Sequence, residues 1–234
     1  MLSLSLLMGV ALAAQGNDLK SIDMVMGNGL VAAKGDVVTV LYRGNLLDGK
    51  VFDETAKKPP FAFVLGEGNV IKGWDDGVQG MKVGGRRILS VPPKLGYGDR
   101  AIGDLLPANS TLVFDITLLR VDKKGATPKV DIEELGAGTG AKAEDGKTVS
   151  VHYKGTFLNG EPFDDSYSRK APISFKLGSG QVVKGFEDGV RGMLVGGKRK
   201  VTMPYMLAYG PNGRAPVIPP YATLVFELEL VEVK

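Results

Sequence analysis

Cysteine is absent from the 234-residue chain, which excludes disulfides, thiol nucleophiles and thiolate metal sites. Histidine is nearly so: His152 stands alone, and most imidazole chemistry is excluded with the rest. Neither sign of charge dominates, since 29 basic and 26 acidic residues leave a net +3 spread along the chain. No nucleic acid or other polyanionic partner is implied. Long hydrophobic runs are scarce too, and the one at the start, "MLSLSLLMGVALAAQGND" at residues 1–18, is too short for an ordinary spanning helix. Its Ala11, Leu12 and Ala13 form a small-x-small pattern suited to signal-peptide cleavage. Residues 1–14 are therefore expected to be a signal peptide and the protein to be exported, periplasmic or secreted; no Lys or Arg precedes the apolar run, and the alternative is a cytoplasmic or N-terminally membrane-anchored protein.

Glycine, by contrast, is plentiful at 33 residues, and a hydrophobic share of 44% with 24% charged residues is that of an ordinary globular protein. The length suits two domains, and an internal repeat says where they lie. "VIKGWDDGVQGMKVGGRR" at 70–87 and "VVKGFEDGVRGMLVGGKR" at 182–199 are identical at 12 of 18 positions, with Trp74 answered by Phe186. Extended outwards, Tyr42, Phe52 and Asp53 match Tyr153, Phe163 and Asp164 at an offset of 111, while Trp74, Tyr97 and Phe114 match Phe186, Tyr209 and Phe226 at 112. A period of this length is a duplicated domain rather than a solenoid unit. The expected boundaries are 15–121 and 129–234, joined by a connector at 122–128 within "VDKKGATPKV".

Val149, Val151 and Tyr153 alternate with Ser150, His152 and Lys154, the period of a strand with one wet face, which sends His152 outward. Leu224, Phe226, Leu228 and Leu230 repeat the pattern, as do Leu112, Phe114, Ile116 and Leu118 in the first copy. The repeated passage is the one good helix candidate in each copy, because Val70, Trp74, Val78 and Met81 fall on one helical stripe. Gly73, Gly77 and Gly80 each cost such a helix roughly 1 kcal/mol relative to Ala, so tertiary packing must hold it. Gly84 and Gly85 are expected to end it. Many strands with one short helix make an α+β domain, an antiparallel sheet wrapped across a helix.

Several chemistries can be set aside. "GAGTGA" at 136–141 resembles part of a dinucleotide loop, but polar "KAEDGK" follows where an apolar helix should begin, so a β-turn is the better reading. His152 and Ser150 lie on the outer face of one strand with no oxyanion loop beside them. The acidic pairs Asp75 with Asp76 and Glu187 with Asp188 could hold a metal or share a proton, but carboxylates at the positive end of a helix dipole explain them better. No cofactor and no metal is expected.

What remains is aromatic and aliphatic, and its motifs carry a resemblance. "VTVLYRGNLLDGKVFDET", "PFAFVLGEGNVIKGWDDGVQGMKVGGRR", "VPPKLGYG" and "LVFDITLL", with "VSVHYKGTFLNGEPFDDSY", "VVKGFEDGVRGMLVGGKRKVTMPYMLAYG" and "VIPPYATLVFELEL" in the second copy, resemble the FKBP family of peptidyl-prolyl cis-trans isomerases. The resemblance implies two FKBP-like domains, each a half-barrel sheet around one short helix with a shallow apolar pocket for a proline ring. In the first, Trp74 would be the floor, with Phe52 nearby, Tyr42, Phe61 and Phe114 as walls, and Val70 and Ile71 beside the ligand backbone. Asp53, Tyr97 and the loop with Leu105 and Leu106 would form the rim. In the second, Phe186 would replace the floor and Ile173 an aromatic wall, among Tyr153, Phe163, Val182, Val183 and Phe226. Asp164 and Tyr209 remain, and Val217 and Ile218 stand in the loop.

The resemblance makes Tyr42, Asp53, Tyr97, Tyr153, Asp164 and Tyr209 the candidate catalytic residues, with the N–H groups of Ile71 and Val183 as further donors. Arg169 sits like the family's arginine that pairs with the pocket aspartate, whereas the shorter first-copy loop offers only Lys57 or Lys58. Proline-containing polypeptides are the implied partners, together with macrolides of the tacrolimus type, which the Phe186 pocket should bind less well than the Trp74 pocket. A non-catalytic peptide-binding module or folding chaperone is the competing reading.

Overall fold

The computed structural model of the chain describes residues 18–234, so the expected signal peptide lies outside the described residues. Two compact units divide between Gly125 and Ala126. Among the described residues no helix is long and apolar enough to cross a membrane.

Alternation builds the first sheet. Val38 and Val40 of β2 (Val37–Leu46), with Leu112, Phe114, Ile116 and Leu118 of β6 (Leu112–Asp122), are at most 4% exposed, as a period of two requires of a sheet with one buried face. Around this central antiparallel pair lie β1 (Lys20–Val25), β3 (Val51–Glu54), β4 (Phe61–Val64) and β5 (Arg86–Val91), in the order β1-β5-β6-β2-β3. The strands β3 and β4 share β2, pairing with its last and first halves respectively. The second unit repeats the plan with β7 (Asp131–Gly136), β8 (Thr148–Phe157), β9 (Pro162–Asp165), β10 (Ile173–Lys176), β11 (Lys198–Met203) and β12 (Leu224–Val233). There β8, β12 and β11 stand side by side, and β9 and β10 share β8. The fold is α+β, two antiparallel sheets with one short helix each.

The helices are α1 (Lys72–Val78) and α2 (Lys184–Val190), each 7 residues long. They stop earlier than the sequence predicts. Gln79 has already left helical geometry at ψ 135, and Gly80 follows with φ 80, a left-handed turn that glycine takes without steric cost. Gly84 and Gly85 serve the later turn into β5. The helical glycines have a packing role: a Cβ at Gly73 would stand 2.4 Å from a methyl of Val91, and one at Gly77 would stand 2.5 Å from a methyl of Leu89. Their absence of side chain lets α1 lie directly on β5, which offsets the propensity lost.

Three further sequence expectations change. Asp75 does not act chiefly through the helix dipole, for its carboxylate accepts the N–H groups of Gly66 at 2.8 Å and Gly68 at 3.0 Å. Glu187 likewise accepts from Gly180 at 2.9 Å. A direct charge-assisted bond outweighs the dipole of so short a helix. His152 is only partly exposed, stacked on Tyr167 with centroids 4.5 Å apart and its Nδ1 3.0 Å from Ser166 Oγ. The "GAGTGA" stretch is no compact turn: it runs past the end of α2, where Thr139 and Gly140 donate to the Val195 carbonyl. At the connector, β6 continues through Asp122, and Lys123 Nζ and Lys124 N–H both reach the buried carboxylate of Asp36, at 2.6 and 3.0 Å.

Candidate active site

The first unit holds a cleft of about 290 Å³ lined by Tyr42, Phe52, Asp53, Phe61, Asn69, Val70, Ile71, Trp74, Tyr97 and Phe114. The lining residues come from several parts of the fold. Trp74 comes from the first turn of α1 and is buried, with Tyr42 and Phe114 meeting its indole edge to face at 5.0 and 5.1 Å. Phe61, from β4, stands 6.0 Å away and is exposed. Val70 and Ile71 are the last residues before α1, and Tyr97 rises from the loop after β5 at 41% exposure. Leu105 and Leu106 are placed apart from this lining: Leu106 is buried in the core and Leu105 faces solvent.

One edge of the cleft is polar. The Tyr42 hydroxyl donates to Asp53 Oδ2, and Asp53 Oδ1 accepts from the Glu54 N–H at 2.9 Å and from Lys58 Nζ at 3.2 Å. Lys58 therefore takes the place beside the aspartate, with one hydrogen bond instead of a guanidinium fork. Burial pushes the Tyr42 hydroxyl upward and the Asp53 carboxylate beside it pushes it further, so the phenol stays protonated. For Asp53 burial acts upward as well, but the bonds from Tyr42 and Lys58 outweigh it and hold the carboxyl below its ordinary 3.8.

The second unit builds the same arrangement on a phenylalanine floor. Phe186 meets Phe226 at 5.3 Å and Tyr153 at 5.6 Å, both edge to face, and Phe163 packs on Phe226 at 5.5 Å. Ile173, Val182, Val183 and Tyr209 pack against this core as half-buried neighbours. Ile218 is buried and Val217 exposed, like Leu106 and Leu105. Here Tyr153 donates to Asp164 Oδ2 at 2.5 Å, and Arg169 bridges both partners, reaching Asp164 Oδ1 and the Tyr153 hydroxyl at 2.5 Å each. Burial, then Asp164, push the Tyr153 hydroxyl up to about 12, with Arg169 opposing.

This difference gives a titration prediction. A carboxyl held below 3.8 contributes stability that is present above that value and is lost as the pH falls through its depressed folded value. Tyr42→Phe should move the Asp53 pKa upward, while Tyr153→Phe should move Asp164 less because Arg169 stays on it at 2.5 Å, closer than Lys58 on Asp53 at 3.2 Å. Carboxyl carbon shifts followed by NMR through the acid range read both; an unmoved Asp53 would refute the account.

Sequence reasoning missed two supports. Tyr42 is fixed by Thr55, whose Oγ1 accepts the Tyr42 N–H at 2.9 Å and whose N–H donates back at 3.0 Å; Ser166 does the same for Tyr153 at 2.7 and 3.0 Å. The signal was a hydroxyl two residues after each aspartate. The other is Gly44, where a Cβ would stand 2.6 Å from the Phe52 ring, matched by Gly155 at 2.7 Å from Phe163. Asn69, on the cleft wall, carried no signal beyond its place next to Val70.

Each unit is thus a small antiparallel sheet packed on one short helix, with aromatic side chains gathered beside a Tyr–Asp pair. The pattern of FKBP-type peptidyl-prolyl cis-trans isomerases matches residues 29–119 and 139–231, and the chain belongs to that family. It is 42% identical over 200 residues to the human protein named peptidyl-prolyl cis-trans isomerase FKBP10, covering 85% of this chain and 34% of that one. The chain spans about a third of the length of that relative. An FK506-binding protein of Neisseria meningitidis serogroup B is 50% identical over 102 residues, 44% of this chain and 94% of its own. Among solved structures, FkpA from Escherichia coli is 42% identical, covering 48% of this chain and 53% of that one, with a TM-score of 0.42.

Proposed function

We propose that the chain catalyses cis-trans rotation about X-Pro bonds in other polypeptides, using one cleft in each unit, and so speeds proline-limited folding. The observation that carries this reading is the aromatic cleft of the first unit, floored by Trp74 and edged by Tyr42, Asp53 and Tyr97. Amide resonance sets a barrier of roughly 18–20 kcal/mol to this rotation, and exchange without a catalyst takes tens to hundreds of seconds. A planar amide is the more charge-separated state and depends more on water. Transfer to an apolar cleft therefore costs it more than the twisted transition state, and the barrier falls.

The residues divide the work accordingly. Trp74 and the rings around it receive the proline and exclude water, while the Tyr97 hydroxyl and the Ile71 N–H stand at the edge as donors to the substrate carbonyls. Donors that bond the twisted state better than the planar one lower the barrier further, each tenfold gain needing about 1.4 kcal/mol. Tyr42 and Lys58 hold Asp53 charged at the same edge. In the second unit Phe186, Tyr209 and Val183 take the corresponding roles, and the smaller floor binds tacrolimus-type macrolides less tightly than Trp74 does. The apolar pattern of residues 1–14 supports export as the setting of this activity.

The test is exchange of a Leu-Pro peptide with the full chain, read by NMR line shapes or by protease-coupled cleavage. Acceleration in proportion to protein concentration is expected. A rate equal to buffer with folded protein would overturn the reading.

A further inference from the structure

The two units differ in charge beside the rim tyrosine. After Tyr97 the chain runs "GDRAIGDLL" at 98–106, with Asp99, Arg100 and Asp104; after Tyr209 it runs "GPNGRAPVI" at 210–218, with Arg214 alone. Position by position both aspartates become proline, Arg100 becomes Asn212 and Ile102 becomes Arg214, so the loop charge changes from −1 to +1.

The structure makes this comparison meaningful, because both loops close through the same pair of hydrogen bonds. Ile102 N–H donates to Leu106 O at 2.9 Å and Leu106 N–H returns to Ile102 O at 3.2 Å; Arg214 and Ile218 do the same at 2.8 and 2.9 Å. Ile102 and Arg214 thus hold one structural position. From it the Arg214 guanidinium lies over the Tyr209 ring, 5.8 Å from its centroid. It is exposed and has no acidic partner among the described residues. The cations beside the pocket aspartates differ in this respect, for Lys58 and Arg169 each pair with one; Arg100 of the first loop is exposed like Arg214 but stands between Asp99 and Asp104 in the chain. Across the first cleft the turn leading to Asn69 adds Glu67, where the second unit has Ser179. On the segments that adjoin Tyr97 and Asn69 in the chain, Asp99, Asp104 and Glu67 outweigh Arg100, so the charge there is net negative in the first unit, whereas Arg214 makes the matching segments positive in the second.

We infer that the two clefts sort proline sites by flanking charge: the second takes those with an acidic residue near the proline, through Arg214, and the first disfavours them through Asp99, Asp104 and Glu67. This rests on the isomerase reading above and adds a substrate class to it. An exposed ion pair is worth little, so the preference is modest, about threefold per unit charge, and salt weakens it. Discrimination comes as much from repulsion at the first cleft as from attraction at the second.

The experiment uses the full chain with one cleft disabled at a time: Asp53→Leu with Tyr97→Phe leaves the second working, and Asp164→Leu with Tyr209→Phe leaves the first. Exchange is measured on Leu-Pro peptides carrying Glu, Ala or Lys beside the Leu-Pro pair. With the second cleft working, Glu should exceed Lys, two unit charges away, by about ninefold at low salt; Arg214→Ala should bring the ratio to about one and Arg214→Lys should keep it. With the first working, the order should reverse. Equal ratios in the two reporters, or a ratio indifferent to Arg214→Ala, would overturn the inference while leaving catalysis intact. If the wild type catalyses nothing, the isomerase reading fails separately, and charge sorting is then read by binding of the same peptides. Fluorescence of Trp74, the only tryptophan, reports the first cleft, and NMR shifts of the Arg214 side chain report the second; equal affinities for Glu and Lys peptides at both would overturn it.

Discussion

Replacing Trp74 with alanine is expected to remove about 3–5 kcal/mol from the stability of the first unit, the usual cost of deleting a buried indole. The reason is that the cleft floor is also the core. Trp74 is buried and meets Tyr42, Phe61, Phe63 and Phe114 at centroid distances from 5.0 to 6.0 Å. Its α-helix has only 7 residues and two interior glycines, so Trp74 is its one large buried ring, beside the close packing of Gly73 and Gly77 on β5 and the burial of Val78. Urea unfolding followed by circular dichroism provides the check, with the unfolding of the second unit as an internal reference. The variant should unfold in two separated steps, the earlier one belonging to the first unit. Trp74→Phe should behave differently, since Phe186 already shows that a phenyl ring fills the same place against Tyr153 and Phe226. That variant should keep the fold and lose about tenfold in macrolide affinity, equivalent to 1.4 kcal/mol. Single-step unfolding of Trp74→Ala at the wild-type midpoint would show that the ring serves the ligand alone.

Disabling both clefts together should lower turnover of a Leu-Pro peptide on the order of 100-fold, the scale for losing preorganised donors at a reacting carbonyl. The variant combines Asp53→Leu and Tyr97→Phe with Asp164→Leu and Tyr209→Phe. All four side chains lie at partly exposed positions, and the aromatic floors are left in place, so the fold should survive and circular dichroism can verify it. Suppression of client aggregation, measured beside turnover, separates two activities. Turnover lost with suppression retained would place a chaperone surface elsewhere on the chain, whereas loss of both would put both at the clefts. Turnover that survives would remove these residues from the mechanism.

Much of this was legible in the sequence because it was written twice. The match of Tyr42, Asp53, Trp74 and Phe114 with Tyr153, Asp164, Phe186 and Phe226 showed one constellation in both copies, the family resemblance offered it as a candidate site, and the alternation of Leu112 to Leu118 fixed a buried strand face. Local pattern was less informative where partners came from afar. Asp75 read as a helix N-terminal charge because its acceptor role depends on the turn at Gly66 and Gly68 folding back on it. Lys58 could not be told from Lys57 until the loop closed on Asp53. His152 read as exposed because its alternation was right, yet Tyr167 from the following loop covers it.

The sequence by itself determined that there are two copies, that each is a sheet with one glycine-bearing helix, and that chemistry must proceed without thiols and with a single imidazole. Those properties follow from residue type and spacing, which survive without coordinates. Only the tertiary structure decided where α1 and α2 end, which cation holds each aspartate, and that Arg214 lies over the ring of the rim tyrosine Tyr209. Each of these depends on how a helix end or loop folds in three dimensions, even where the partners, such as Lys58 and Asp53, are near in the chain, and a hydrogen bond or close packing contact has no counterpart in the linear pattern.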